Sequence, residues 1–304
     1  MIPNRPPEKP PLLKEIEAMD GLYWEDLGRQ GLRIAQLKDS FRFGEEQVLL
    51  AHWAAGLIKP RRRLQSARGQ KPLRTVDPGC GNGILTLLIS ALIPGSEGLG
   101  VELMERPFKL ACANIYANKL SGRFRILRGD LRRYAQDGIP AEASPGSFDL
   151  VLGNSPYFLP GTGPSRDEST EGAREIAAAR EERFVSLEEY MKCCGNWLAP
   201  GGQAAFLQRP ERLRDCFREA AAAGLQVTRL RAIVPRPGRA PSAFLMAAKK
   251  DPAAGFVWER ALIIRREDGR YTDETASFYP EESGASDRAG GLPAAEGDKA
   301  DGGS

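Results

Sequence analysis

One histidine in 304 residues leaves little room for imidazole chemistry. It is His52, and it falls on the apolar face of a predicted helix, where a packed ring is the ordinary outcome. The five cysteines form no CxxC pair and have no histidines at zinc spacing, so no metal is expected. Cys193 and Cys194, adjacent inside a helical pattern, read as small buried hydrophobes of a reducing compartment. The longest apolar run, Ile84 to Pro94, is too short to cross a bilayer. No basic-then-apolar leader opens the chain, so the expected place is the cytoplasm, without a membrane partner. Two nucleotide signatures are also missing. There is no Gly-Lys-Ser/Thr of a phosphate-binding loop, and the third glycine of GxGxxG is replaced by Ile84.

Charge is present but unevenly placed. The net charge is +3, yet from Glu281 onward six acids face two bases, which leaves +7 on residues 1–280. Much of that positive charge is arginine, the side chain suited to bidentate phosphate contacts. A basic body suits an RNA partner without requiring one.

The chain divides by pattern. Residues 1–20, rich in proline and charge, read as a disordered lead-in. Residues 21–72 hold a predicted short hairpin within Leu32 to Phe43, a helix over Glu45 to Ile58, and a basic loop with Lys59, Arg61, Arg62, Arg63, Arg68 and Lys71. From Leu73 strands and helices alternate, and this pattern continues to about residue 280. Strands are expected at Leu73–Asp77, Gly98–Glu102, Arg123–Leu127, Phe148–Leu152, Gln203–Gln208, Gln226–Val234 and Ser242–Ala248, with one further edge strand inside Phe256–Ile264. The helix over Arg174–Leu198 is expected to break near Phe184, where Ser186 and Glu189 have capping-box spacing. Such βα units imply a mostly parallel sheet covered on both faces. Residues 281–304 read as a disordered acidic tail.

Asp77-Pro-Gly79-Cys-Gly81-Asn-Gly83 joins the first of these strands to its helix. Glycines at alternate positions allow a tight turn and a close ligand. A carboxylate stands at each side: Asp77 ends the first strand and Glu102 the second. Glu102 is placed to accept two ribose hydroxyls, and Asp77 to hold an ammonium or neutralise another cation. An adenosine joined to an amino acid through a sulfonium is S-adenosylmethionine. The fourth strand ends in Asn154-Ser155-Pro156-Tyr157. These are ordinary turn residues. At the carboxyl end of a sheet strand they also suit a flat ring with an –NH2 substituent, the amide accepting its hydrogens and the tyrosine stacking on it.

With these motifs the stretch from about Leu73 to Lys250 resembles the class I S-adenosylmethionine-dependent methyltransferases. The resemblance implies a Rossmann-like α/β fold, a mostly parallel seven-stranded sheet with helices on both faces, and S-adenosylmethionine as cofactor. It implies cofactor contacts at Asp77, Gly79, Gly81, Gly83, Glu102, Asp130 and Asn154. Asn154-Ser155-Pro156-Tyr157 resembles the Asn-Pro-Pro-Tyr motif of amino-methyltransferases, with serine in place of the first proline, and implies Asn154, Ser155, Pro156 and Tyr157 as catalytic residues. Lys38-Asp-Ser-Phe41-Arg42-Phe43-Gly44, Gln208-Arg209-Pro210-Glu211-Arg212-Leu213, Val234-Pro235-Arg236-Pro237-Gly238 and Asp268-Gly-Arg-Tyr271-Thr272 are similar to bacterial tRNA1(Val) adenine-N6 methyltransferases. That likeness implies methyl transfer to the N6 amino group of an adenosine in RNA, with tRNA as the partner. Phe43 would close over the cofactor, and Arg209 and Arg212 would face RNA; Arg42 and, on charge alone, Arg61, Arg62 and Arg63 of the basic loop are further candidates for RNA contact, a solvated loop being the alternative. The alternatives are glutamine methylation on a release factor, or a weakly catalytic module that binds cofactor and RNA.

Overall fold

A computed structural model describes residues 11–40, 42–133, 146–155, 169–182, 184–251, 253 and 255–279, without the side chains of Ala178 and Arg180. Residues 1–10 and the tail 281–304 therefore lie outside the described residues. So do Phe41, Pro156 and Tyr157.

The chain opens with α1 (Pro11–Glu17) and an antiparallel hairpin, β1 (Leu22–Asp26) and β2 (Arg33–Leu37). Residues 11–17, expected to be disordered, are helical because Ile16 finds a cluster with Ala35, Leu37, Leu110 and Ala113. The hairpin also begins ten residues earlier than the alternation suggested. Its second strand is anchored by two amides one helical turn apart. Asn114 accepts from Ala35 N–H at 2.7 Å, Asn118 accepts from Arg33 N–H at 2.9 Å, and each donates back to the same residue's carbonyl. Their i, i+4 spacing matches the i, i+2 spacing of a strand edge.

Next come α2 (Glu45–Leu57) and α3 (Pro60–Ala67), then β3 (Arg74–Pro78), α4 (Ile84–Leu92), β4 (Glu97–Glu102), α5 (Glu105–Ala117) and β5 (Phe124–Arg128). The basic stretch predicted as a loop is thus largely the helix α3. Proline at its first position supplies a helix start. Arg62 fixes it by donating to the carbonyls of Lys71 and Pro72 and by pairing with Asp149 at 2.7 Å.

The second half runs β6 (Phe148–Gly153), α6 (Glu171–Arg180), α7 (Leu187–Trp197), β7 (Leu198–Gln208), α8 (Leu213–Ala222), β8 (Gln226–Val234) and β9 (Ala243–Lys249). The helical stretch breaks where expected. Ser186 Oγ accepts from Glu189 N–H at 3.2 Å, and the Glu189 carboxylate accepts from Ser186 N–H at 2.9 Å. Two short strands, β10 (Val257–Trp258) and β11 (Leu262–Ile263), and α9 (Asp273–Ala276) complete the described fold.

Among the described residues the sheet has nine strands: to the seven expected, the edge addition expected within Phe256–Ile264 contributes two short strands, β10 and β11, both paired with β8. The seven long strands lie in the order β5-β4-β3-β6-β7-β9-β8, and only β9 is antiparallel to its neighbours. One core fills the face under α2, α4 and α5, centred on Leu49, Leu87 and Leu150. The other fills the face under α7 and α8, centred on Tyr190, Trp197 and Phe206. The chain reverses its direction across the sheet at β3, with β4 on one side and β6 on the other. A crevice opens at the carboxyl ends of such a switch point.

Candidate active site

A cavity lies at that crevice, and its walls come from six stretches of the chain. The floor is the loop after β3. Gly79, Gly81 and Gly83 have φ of +75°, +55° and +84°, which a side chain would strain. A Cβ built on Gly79 or Gly81 meets nothing within 4 Å, so the loop presents bare backbone to open space. Its N–H groups at Gly79 and Cys80 both donate to Val101 of β4, at 2.8 and 2.9 Å. Asn114 holds the far side by donating to Asn82 at 2.9 Å. One of the two amides that anchor the hairpin thus also anchors this loop.

Three buried carboxylates face the cavity: Asp77, Glu102 and Glu175. Glu102 accepts from Gly81 N–H at 2.9 Å and from Met104 N–H at 2.8 Å, which fixes both of its oxygens. Burial still raises its pKa above the ordinary value. Glu175 on α6 accepts from Ser40 Oγ at 2.6 Å and lies 3.5 Å from Arg106, which also pairs with Asp39 at 2.8 Å. Burial raises this carboxyl too. Asp77 is the most strained. It is 2% exposed, and neither oxygen has a hydrogen-bond partner of good geometry among the described residues. Burial first, and then the Glu102 charge, push its pKa well above the carboxylate range, while Thr86 works against them.

At the end of β6, Asn154 lines the same cavity, and its buried Oδ1 has no partner among the described residues. Ser155 beside it is buried, and its hydroxyl accepts from Gln208 Nε2 of β7 at 3.0 Å. Asp130, after β5, lines the opposite wall. Arg132 grips its carboxylate at 2.6 Å and holds its pKa below the ordinary value. A cavity with this many carboxylates suits a ligand that carries positive charge and several hydrogen-bond donors.

The expected site residues do not all gather here. Asp77, Gly79, Gly81, Glu102, Asp130 and Asn154 line the cavity, while Gly83 caps α4 just behind it. Pro156 and Tyr157 lie outside the described residues. Phe43 packs against the core under α2, and its neighbours Ser40 and Gln47 line the cavity in its place. The arginines separate into two groups. Arg62 and Arg63 are spent at the opposite end of the sheet, on Asp149, on the Lys71 and Pro72 carbonyls and on Leu92 O, with Arg61 exposed on the same helix. Arg212 is 8% exposed and paired with Glu182 and Asp215, so it is a structural cation. Arg209 reaches Glu46 at 3.1 Å, and Arg42 is exposed two residues from Ser40.

Sequence reasoning missed Ser40, Gln47, Glu175 and Tyr190. Tyr190 lies on α7 and is 1% exposed; it is among the residues lining the cavity, and its buried hydroxyl has no partner among the described residues. A faint signal existed in Gly153, directly before Asn154. A Cβ there would stand 2.2 Å from Tyr190 Oη, so only glycine admits the ring.

Among the described residues no group of three or more histidine, cysteine, aspartate or glutamate side chains could hold a metal ion. No helix among them is long and apolar enough to cross a membrane.

No family model matches the chain. Over 252 residues it is 26% identical to a tRNA1(Val) (adenine(37)-N6)-methyltransferase of Porphyromonas gingivalis, covering 81% of this chain and 91% of that one. A protein of the same name from Tolumonas auensis is 26% identical, with 82% and 92% covered. Among solved structures, a predicted O-methyltransferase from Agrobacterium tumefaciens superposes with a TM-score of 0.57 at 17% identity, covering 77% of this chain and 94% of that one. The hMettl16 catalytic domain in complex with the MAT2A 3'UTR hairpin 1 gives 0.52 at 16% identity, with 77% and 79% covered. The fold is therefore the Rossmann-like fold of class I methyltransferases, as the strand order also shows.

Proposed function

We propose that this chain is an S-adenosylmethionine-dependent methyltransferase acting on the N6 amino group of an adenosine in RNA, with tRNA as the substrate. One observation carries the target chemistry: a buried, unpartnered amide oxygen, Asn154 Oδ1, at the end of the strand next to the glycine loop. Relatives named for adenine-N6 methylation of tRNA, matched over nine-tenths of their length, support adenine in tRNA as the acceptor.

The residues present fit the cofactor. Glu102, held by two backbone N–H groups, keeps lone pairs for two ribose hydroxyls. Asp130, acceptor-only while Arg132 keeps it ionised, suits the amino edge of adenine. Asp77 lacks a cation and would take the ammonium. When bound, S-adenosylmethionine supplies an electrophilic methyl group.

The protein's own work is positioning. An adenine N6 lone pair is delocalised into the ring and is a poor nucleophile. Asn154 Oδ1 and the main-chain carbonyl of Ser155 accept its two hydrogens and draw the nitrogen toward a pyramidal shape, which frees that pair. By the resemblance of the motif, Tyr157 stacks on the base. The target base must leave its stack to get there. No strong general base is needed, because the methylated, cationic nitrogen is itself acidic. Preorganised acceptors and proximity supply the rate. Arg42, exposed two residues from Ser40, and Arg209, which also holds Glu46 and the Ser242 carbonyl, are the arginines to which this reading assigns salt-sensitive phosphate contacts.

Transfer of a tritiated methyl group to bulk tRNA from cells lacking this protein is the direct test. Label recovered as N6-methyladenosine supports the proposal. Absence of label on RNA, or label on a release factor alone, overturns it.

A further inference from the structure

We infer that the Tyr190 hydroxyl binds the α-carboxylate of the cofactor's amino-acid end. The inference rests on the cofactor named above but not on the acceptor of the methyl group.

Three residues that line one cavity carry buried polar atoms without a partner among the described residues: both oxygens of Asp77, Oδ1 of Asn154 and Oη of Tyr190. The first two are acceptors. Asp77 suits an ammonium, and Asn154 Oδ1 is assigned to the target amine. Tyr190 differs, because a phenol can donate, and although its ring belongs to the core its hydroxyl lies against Gly153, next to Asn154 at the end of β6. The chain goes to some length to place it there. Its ring passes beneath β6 at the one residue without a side chain, Gly153, and its hydroxyl is completely shielded from solvent. A buried hydroxyl without a partner costs free energy that a phenylalanine would not. Packing alone therefore favours phenylalanine. An amino acid carries one cation and one anion on the same carbon. Asp77 answers the cation, and Tyr190 is the neighbouring donor that answers the anion. A Cβ on Gly153 would stand 2.2 Å from Tyr190 Oη and 3.3 Å from the carbonyl of Pro78, the residue after Asp77, so the hydroxyl is held beside the end of β3. That proximity fits two groups serving the two ends of one zwitterion.

Tyr190→Phe removes only the oxygen. Isothermal titration would compare wild type and variant with three probes. They are S-adenosylmethionine, its decarboxylated analogue, and methylthioadenosine, which lacks the whole amino-acid end. The variant should bind S-adenosylmethionine roughly 10- to 100-fold more weakly, as expected for a lost hydrogen bond to a charged group. Binding of the other two probes should change by less than about twofold, taken as the noise of such a comparison. Without ligand, the variant's Tm should equal or exceed that of wild type. Equal weakening toward all three probes, unchanged binding of S-adenosylmethionine, or a lower Tm of the free variant would each overturn the inference. If wild type bound none of the probes, the cofactor assignment itself would fall, and this inference with it.

Discussion

Ser155→Pro restores the proline that the amino-methyltransferase motif carries, and it should nevertheless harm this protein. Proline at a compatible position contributes about 0.4–1 kcal/mol by restricting the unfolded chain. Against that stands the hydrogen bond from Gln208 Nε2 to Ser155 Oγ, 3.0 Å long, between residues that are 0% and 2% exposed. Proline removes this acceptor from a buried donor, which costs about 1–3 kcal/mol. The net expectation is a loss of about 0.5–2 kcal/mol, or roughly 1–8 °C in Tm for a domain of this size. Thermal melting of the ligand-free protein measures it. Gln208→Leu removes the donor, so the double variant should be more stable than the sum of the single losses predicts. In this chain Ser155 and Gln208 hold the carbonyl that the proline ring would otherwise fix. A rise in Tm for Ser155→Pro, or strict additivity in the double variant, would refute that account.

Asn154→Ala should lower kcat by about 10²–10³-fold, by analogy with removal of one preorganised hydrogen-bonding group, and leave cofactor affinity nearly intact; loss of cofactor binding in calorimetry would reassign the residue. Asp77→Asn should raise the Tm of the free protein at neutral pH and abolish its stabilisation by S-adenosylmethionine. Because the folded pKa of Asp77 is raised above its ordinary 3.8, wild-type stability is lost as pH rises from that value, so the variant's advantage must vanish toward pH 4. A pH-independent difference would contradict the cause given. His52→Gln tests the opposite sign. Burial lowers the His52 pKa from 6.5 to about 4, so its contribution is whole above pH 6.5 and is lost as pH falls to about 4. The loss is about 1–2 kcal/mol after allowing for solvent access to the half-buried ring, and urea midpoints of the variant should lack it.

How far the site was legible depended on whether its physics is local. The glycine loop and the acids at the ends of β3 and β4 are fixed by short-range pattern, and the structure places Asp77, Gly79, Gly81 and Glu102 around one cavity. The capping box at Ser186 is equally local. The misplacements share one cause, a partner far along the chain. Residues 59–71 have the composition of a loop, but Asp149 and the Leu92 carbonyl give Arg62 and Arg63 fixed places and so hold a helix. Phe43 was expected over the cofactor, yet the core under α2 takes its ring. Tyr190 looked like a helix-face core residue. Its distinction comes from Gly153, thirty-seven positions earlier, and no local pattern joins the two.

Unpartnered buried atoms do not by themselves mark a site. Arg29 Nη2, His52 Nε2, Ser96 Oγ and Ser147 Oγ are also buried without partners, and none lines the cavity. They converge on no shared cavity, although the Arg29 charge acts on His52. The groups on Asp77, Asn154 and Tyr190 differ in convergence and in kind. They offer a carboxylate, an amide oxygen and a phenol to one space, a set that no single solvent molecule satisfies. Each unpaired group costs about 1–3 kcal/mol, so the free protein carries a burden that the cofactor removes at Asp77 and Tyr190 and the target amine at Asn154. It follows that stability and function oppose each other at these three positions. Substitutions there that stabilise the free protein should be those that weaken binding. At Arg29, His52, Ser96 and Ser147, the same repair should stabilise without affecting the cofactor. A stabilising change at Asp77 or Tyr190 that left binding intact would break that opposition. It would also remove the reason for regarding the three groups as one site.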